Sequence, residues 1–162
     1  KHFQNKSLVI IDYAHTPEAL SSVLSSLKQD AKGKIITLFG CGGNRDNEKR
    51  ELMGKIADNN SDLVIVTDDN PREEAPSKIR QEILLGCPNA IEIADRNRAI
   101  KFAVSKLHDN DLLLIAGKGH ESTQTIGTES LPFDDYTVSK EAIKNINKNG
   151  IINWDLYGQK KI

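Results

Sequence analysis

The sequence predicts an α/β fold: three layers, with a mostly parallel sheet covered by helices on both faces and a C-terminal hairpin. Three observations carry this. Short apolar runs alternate with helix-period segments from Leu8 to about Lys148. The runs Leu8–Ile11, Leu63–Val66 and Leu112–Ala116 are apolar without alternation, as strands buried on both faces are. Polar or glycine-rich loops follow these runs and the one ending at Phe39, where open parallel sheets bind ligands.

Leu8–Ile11 is the first strand and ends at Asp12. Thr16 is a good helix N-cap and Pro17 suits the first helical position. Leu20, Val23, Leu24 and Leu27 then line one helical face, and 31–33 closes that helix. Lys34–Phe39 is the second strand. A second helix carries Leu52, Met53, Ile56 and Ala57 as its buried stripe. Leu63–Val66 is the third strand. Pro76 opens a third helix with Ile79, Ile83 and Leu84 inward and Gly86 near its end. Ala90–Ile93 is a weaker strand. Asp95 caps a fourth helix with Ala99, Ile100, Ala103, Val104 and Leu107 on one face. Leu112–Ala116 is the fifth strand, and Thr123–Ile126 with Leu131–Phe133 forms a hairpin around Gly127. Asp134 or Asp135 caps a last helix through about Lys148. Trp154 and Leu156, in the tail, are expected to pack back on the body. This alternation is Rossmann-like in arrangement.

The chain has 162 residues, so a single domain can bury a sizeable core. A formal net charge of -1 gives no bulk electrostatic case for nucleic acid or an anionic membrane. Aromatic residues at 5% are too few for a base-stacking platform. No apolar run approaches the ~20 residues of a membrane helix. Cys41 and Cys87 form neither a disulfide framework nor a metal cluster, so a cytoplasmic location is expected.

Four loops should share one edge of the sheet. The most unusual is 67–76, which packs acids, Asn70 and Arg72 between Pro71 and Pro76. Its bland reading is a charged connection; its functional reading is recognition of a zwitterion. Arg72 offers a fork for a carboxylate, and Asn70 can donate and accept. The acids can hold Arg72 or meet an ammonium group. In the second loop, Gly40-Cys41-Gly42-Gly43 begins like a dinucleotide fingerprint, but Arg45 occupies the third glycine position. The glycines alone read as a tight turn needing positive φ. Arg45 adds a guanidinium near free N–H groups at a helix start, suited to a carboxylate or phosphate. In the third loop, Lys118, His120 and Glu121 cluster where Ser or Asn would serve a plain turn, which favours binding. In the fourth, His15 caps, packs or touches ligand. Lys49 and Arg50 read as a solvated helix face, His2 and His108 as surface residues, and Cys41 as a small turn residue. No G-x-x-x-x-G-K-[ST] phosphate loop occurs.

Taken together, 12–17 (DYAHTP), 39–46 (FGCGGNRD), 69–72 (DNPR) and 116–121 (AGKGHE) resemble, in order and spacing, the C-terminal domain of the Mur ligases, in the branch that adds meso-diaminopimelate. The similarity covers roughly residues 7–148. It implies an ATP- and Mg2+-dependent amide ligase of peptidoglycan precursor synthesis. Such a ligase turns the D-glutamyl γ-carboxylate of UDP-MurNAc-L-Ala-D-Glu into an acyl phosphate that the amine attacks. By motif, Arg45 would hold a carboxylate of meso-diaminopimelate, and Asn70 and Arg72 would read its far end. Asp69 and Pro71 would shape that loop, and Gly117 and Glu121 would complete the pocket. Asp12 and His15 match the segment meeting the nucleotide. No residue here matches a family metal ligand or catalytic group.

The resulting expectation is one domain over residues 1–162, with a core at 7–148 and a tail at 149–162. The family's ATP-binding central domain and its uridine-binding N-terminal domain would lie outside it. Such a chain should be monomeric, fold alone and fail to ligate. The alternatives are the equivalent domain of a folylpolyglutamate or cyanophycin synthetase type of ligase, or a stand-alone module binding an amino acid or nucleotide. An in-frame phosphate loop upstream would separate the ligase from the module.

Overall fold

The computed structural model describes residues 7–148 and 154–158. Six strands form one sheet: β1 (Ser7–Asp12), β2 (Ile35–Phe39), β3 (Leu63–Val66), β4 (Ile91–Glu92), β5 (Leu112–Ala116) and β8 (Trp154–Gly158). Their order is β4-β3-β2-β5-β1-β8, and every pairing is parallel. A separate antiparallel hairpin joins β6 (Thr123–Ile126) to β7 (Glu129–Pro132), so its second arm starts two residues earlier than the sequence predicts. The helices are α1 (Pro17–Asp30), α2 (Glu48–Asn60), α3 (Pro76–Leu84), α4 (Arg96–Ser105) and α5 (Asp135–Lys148).

Strand alternation divides the core between the two faces. Val9, Ile11, Leu38 and Ile115 belong to the cluster that includes Ile100 and Val104 of α4 and Ile143 of α5. Ile10, Phe39, Val66 and Leu114 belong to the cluster with Leu20 and Leu24 of α1, Met53 of α2 and Ile83 of α3. Strands apolar on both faces therefore mark a sheet with helices on both sides. Thr16 caps α1 as expected, its hydroxyl accepting from the Ala19 N–H, and Asp95 caps α4 through Arg98 N–H.

Several expectations need correction. Leu52, assigned to the buried stripe of α2, is exposed, whereas Arg50, assigned to the solvated face, has a fully buried side chain. The stripe is displaced because α2 also packs against α3. Of the two candidate caps for α5, Asp134 does the capping, accepting from Tyr136 N–H and the Thr137 hydroxyl. Asp135 is instead buried against Arg96 at 2.7 Å. The tail contributes an unanticipated edge strand, β8, in register with β1 from Ser7↔Trp154 to Ile11↔Gly158. The side chains of Trp154 and Leu156, His2, and the rest of 149–162 lie outside the described residues.

The order matters for function. The chain moves outward from β2 to β4, then returns to insert β5 between β2 and β1. Loops following neighbouring strands diverge there, and ligands bind such sheets at that crevice.

Candidate functional site

The loops after β2 and β3 are stitched together through main chain and side chain. Gly43 N–H donates to the Asn70 carbonyl at 2.8 Å, and Arg72 Nη1 donates to the Gly43 carbonyl at 2.9 Å. A Cβ on Gly43 would stand 1.8 Å from the Pro71 carbonyl oxygen. Close approach, not positive φ, is what this glycine supplies. The left-handed residue in that loop is Asn44, at φ 53°.

Arg72 is also left-handed, at φ 53°. That conformation costs a side-chain-bearing residue roughly 1–2 kcal/mol, so neighbours must hold it. The hairpin does: Arg72 N–H donates to Thr125 O at 3.1 Å, and Gly127 N–H donates to Arg72 O at 2.6 Å. The hairpin thus braces the loop that carries the guanidinium.

Asn70 is buried, and its Oδ1 accepts from Lys118 Nζ at 3.1 Å and from Thr125 N–H at 2.9 Å. Two obligate donors identify that atom as the oxygen. With the oxygen engaged, Asn70 is left with its NH₂, so it offers donors rather than both functions. Lys118, read from sequence as part of a binding cluster, is fully buried. Its ammonium also donates to Thr123 O at 2.6 Å and lies 3.9 Å from Asp69. Burial lowers its pKa, opposed by the Asp69 charge. It joins loops 69–70, 117–119 and the hairpin from within.

The cleft these loops enclose has a volume of about 480 Å³. Arg45, Asp69, Asn70, Arg72, Gly117 and Glu121, all expected from sequence, line it together, and His15 joins them. Pro71 is buried and does not line it. Asp12 does not line the cleft. Its carboxylate accepts from Ala14 N–H at 2.8 Å and its carbonyl from Gly117 N–H at 3.1 Å, so it ties two loops together. Arg45 lies in the loop ahead of α2 rather than on its first turn, and it is exposed. The nearby Glu48 N–H is already bonded to Asp46. His120 is exposed, 6.1 Å from the Tyr13 ring, and stands apart from the lining.

Sequence reasoning missed Tyr13, Thr16, Asp46 and Lys49 as lining residues. Lys49 Nζ donates to His15 O at 2.8 Å, crossing from α2 to the β1 loop. Its place in the charged segment 44–50 that follows the glycine loop was the available signal. Cys41 is no nucleophile: burial pushes its thiol up to about 12, which supports the turn reading.

Beneath the cleft sit two buried arginines. Arg50 meets Glu74 at 2.7 Å and Glu82 at 2.7 Å. Arg96 pairs with Asp135 and also donates to Ala116 O at 3.2 Å and, at 3.4 Å, to Asp68 O. It thereby holds the carboxyl ends of β3 and β5. Among the described residues no three His, Cys, Asp or Glu side chains are grouped to hold a metal ion. The lining therefore mixes guanidinium, ammonium and carboxylate groups, which suits a small molecule bearing both charges.

The profile of one known family, the Mur ligase, glutamate ligase domain, matches residues 1–119. A UDP-N-acetylmuramoyl-L-alanyl-D-glutamate--2,6-diaminopimelate ligase of Rickettsia bellii (strain RML369-C) is 58% identical over 139 residues, which are 83% of this chain and 29% of that ligase. A solved structure of a UDP-N-acetylmuramoyl-L-alanyl-D-glutamate--2,6-diaminopimelate ligase superposes with a TM-score of 0.84 at 39% identity, covering 90% of this chain and 31% of that one. A bifunctional folylpolyglutamate synthase/dihydrofolate synthase from Yersinia pestis superposes with a TM-score of 0.57 over 86% of this chain and 28% of its own; at 16% identity it shares the fold alone. This chain thus spans less than a third of the length of the ligases it matches.

Proposed function

Because this chain belongs to the Mur ligase family, as its glutamate ligase domain, we propose that it holds the incoming amino acid in a ligase that adds meso-diaminopimelate to UDP-MurNAc-L-Ala-D-Glu. One observation carries the reading: Arg45 and Arg72 enter the same cleft from separate loops, beside Asp69 and Glu121. Diaminopimelate presents two carboxylates and two amino groups, and this charge pattern complements them.

Arg45 takes one carboxylate. Arg72 and the Asn70 amide donors take the other, as charge-assisted bonds at the far end. Glu121 meets the distal ammonium, and Asp69, Pro71 and Gly117 keep the loops in shape. The reacting amine is left free, and holding it in place lowers the entropic part of the barrier. In the complete ligase, ATP supplies the activation of the D-glutamyl γ-carboxylate as an acyl phosphate. The amine then forms the new C–N bond and phosphate departs.

His15, on the cleft lining, is the residue we assign to the nucleotide, with Asp12 holding its loop. The Mg2+ site does not fit the described residues, and no phosphate loop occurs in this sequence. We therefore assign both to the length of the ligase that this chain does not span, together with the uridine site. No helix among the described residues is long and apolar enough to cross a membrane. We propose that the ligase works as a cytoplasmic monomer.

Calorimetry of residues 1–162 with meso-diaminopimelate, with and without ATP, tests the reading. Weak saturable binding is expected, and a coupled phosphate-release assay with all substrates should show no turnover. If the complete ligase uses lysine and ignores diaminopimelate, the assignment fails.

A further inference from the structure

Neither Arg50 nor Glu74 lines the cleft, yet together they connect both loops that deliver guanidinium groups to it. Arg50 is buried in α2, five residues after Arg45. Its Nη2 donates to the Gly42 carbonyl at 3.1 Å and to Glu74 Oε1 at 3.0 Å, and its Nη1 to Glu74 Oε2 at 2.7 Å. Glu74, two residues after Arg72, accepts in turn from Asn44 N–H at 3.0 Å. Gly42 and Asn44 flank Gly43, whose N–H and carbonyl are bonded to Asn70 and Arg72. The backbone from Gly42 to Asn44 is therefore held at four points, by Arg50, Asn70, Arg72 and Glu74. Arg45 follows directly. Glu82 of α3 accepts at 2.7 Å from the same Arg50 Nη1 that meets Glu74, and keeps the guanidinium aimed at the loops.

We infer that the Arg50–Glu74 pair is a positioning device that sets the separation between Arg45 and Arg72, and with it the length of dicarboxylic amino acid the site accepts. This rests on the reading of the cleft as the diaminopimelate site. A bidentate pair between a buried guanidinium and a carboxylate is rigid in distance and in plane. One loop cannot shift against the other while it holds. An acceptor with one methylene more or less would leave a guanidinium facing a misplaced carboxylate.

The test uses the full-length ligase carrying Glu74→Gln, Arg50→Lys or, as a separate control, Glu82→Gln. Kinetics are measured with meso-diaminopimelate and with diamino dicarboxylates one methylene shorter and longer. The expected result for Glu74→Gln and Arg50→Lys is a KM for diaminopimelate raised about tenfold or more. KM for ATP and for the nucleotide-sugar dipeptide should stay near wild type, and preference among the three chain lengths should flatten. Glu82→Gln, which leaves the Glu74 contacts in place, should move these less. If Arg50→Lys does not fold, Glu74→Gln alone decides, since it keeps the size and part of the hydrogen bonding. Unchanged length preference in Glu74→Gln, or a fall in kcat with the diaminopimelate KM unaltered, overturns the inference while leaving the site assignment intact. A wild-type enzyme that does not use diaminopimelate overturns both.

Discussion

Lys118 places its fully buried ammonium 3.1 Å from Asn70 Oδ1, joining the loop after β5 to the loop after β3. The bond turns the Asn70 amide so that its oxygen faces inward. Lys118→Met keeps much of the aliphatic stem and removes the donor. A lost hydrogen bond from a charged group costs about 1.5–3 kcal/mol. We expect the unfolding free energy from urea titration to fall by that order, and diaminopimelate binding to weaken by calorimetry. Wild-type stability and affinity in Lys118→Met would contradict the role given to the contact.

If the cleft holds diaminopimelate as proposed, Arg72 is the residue that would discriminate it from lysine. Lysine lacks the second carboxylate, so it leaves the guanidinium without a partner. Sites built on such a polar contact reject the analogue by a factor on the order of 10⁴–10⁵. Arg72→Ala in the full-length ligase should remove most of that preference, mainly through loss of activity with diaminopimelate. Competition kinetics with the two amino acids reads it directly, and unaltered discrimination would refute the assignment.

Acid should loosen the site through Glu74. Hydrogen bonding from Arg50 lowers the Glu74 pKa from 4.5 to about 2. The unfolded chain binds this proton more readily than the folded one, so the contribution is present above pH 4.5 and is lost as pH falls toward 2. Urea midpoints measured across that window should fall less steeply in Glu74→Gln than in wild type. Equal slopes would show that Glu74 is not held in this way.

Gly43→Ala tests the close contact between the two loops. The added carbon would lie 1.8 Å from the Pro71 carbonyl, and the backbone must part to admit it. Overpacking of this kind typically costs about 1–3 kcal/mol. We expect diaminopimelate affinity to suffer more than thermal stability, because both guanidinium groups move while the core does not. A crystal structure of the variant with the loops unmoved would contradict this.

The layers of the fold were legible because strands buried on two faces cannot hide their composition. Leu63–Val66 and Leu112–Ala116 are apolar at every position, and the helices between them repeat at helical spacing. The edge strand β8 was not legible: Trp154–Gly158 carries mixed polarity, and what makes it a strand is the free edge of β1. Most of the lining was legible too. Arg45, Asp69, Asn70, Arg72, Gly117 and Glu121 stand in loops that a parallel sheet must bring to one edge.

The sequence by itself determined the alternation of strand and helix, the edge on which the site lies and the family to which the loops belong, because periodicity and motif are local properties. Tertiary structure decided which charged residues face the cleft and which hold it up. Arg50 looks like any charged helix residue until Glu74 and Glu82, 24 and 32 positions away, surround it. Lys118 looks like a ligand contact until Asn70, 48 positions away, accepts its hydrogen bond. A cation can be buried only where partners compensate for its lost hydration, and those partners come from elements the chain brings together only on folding.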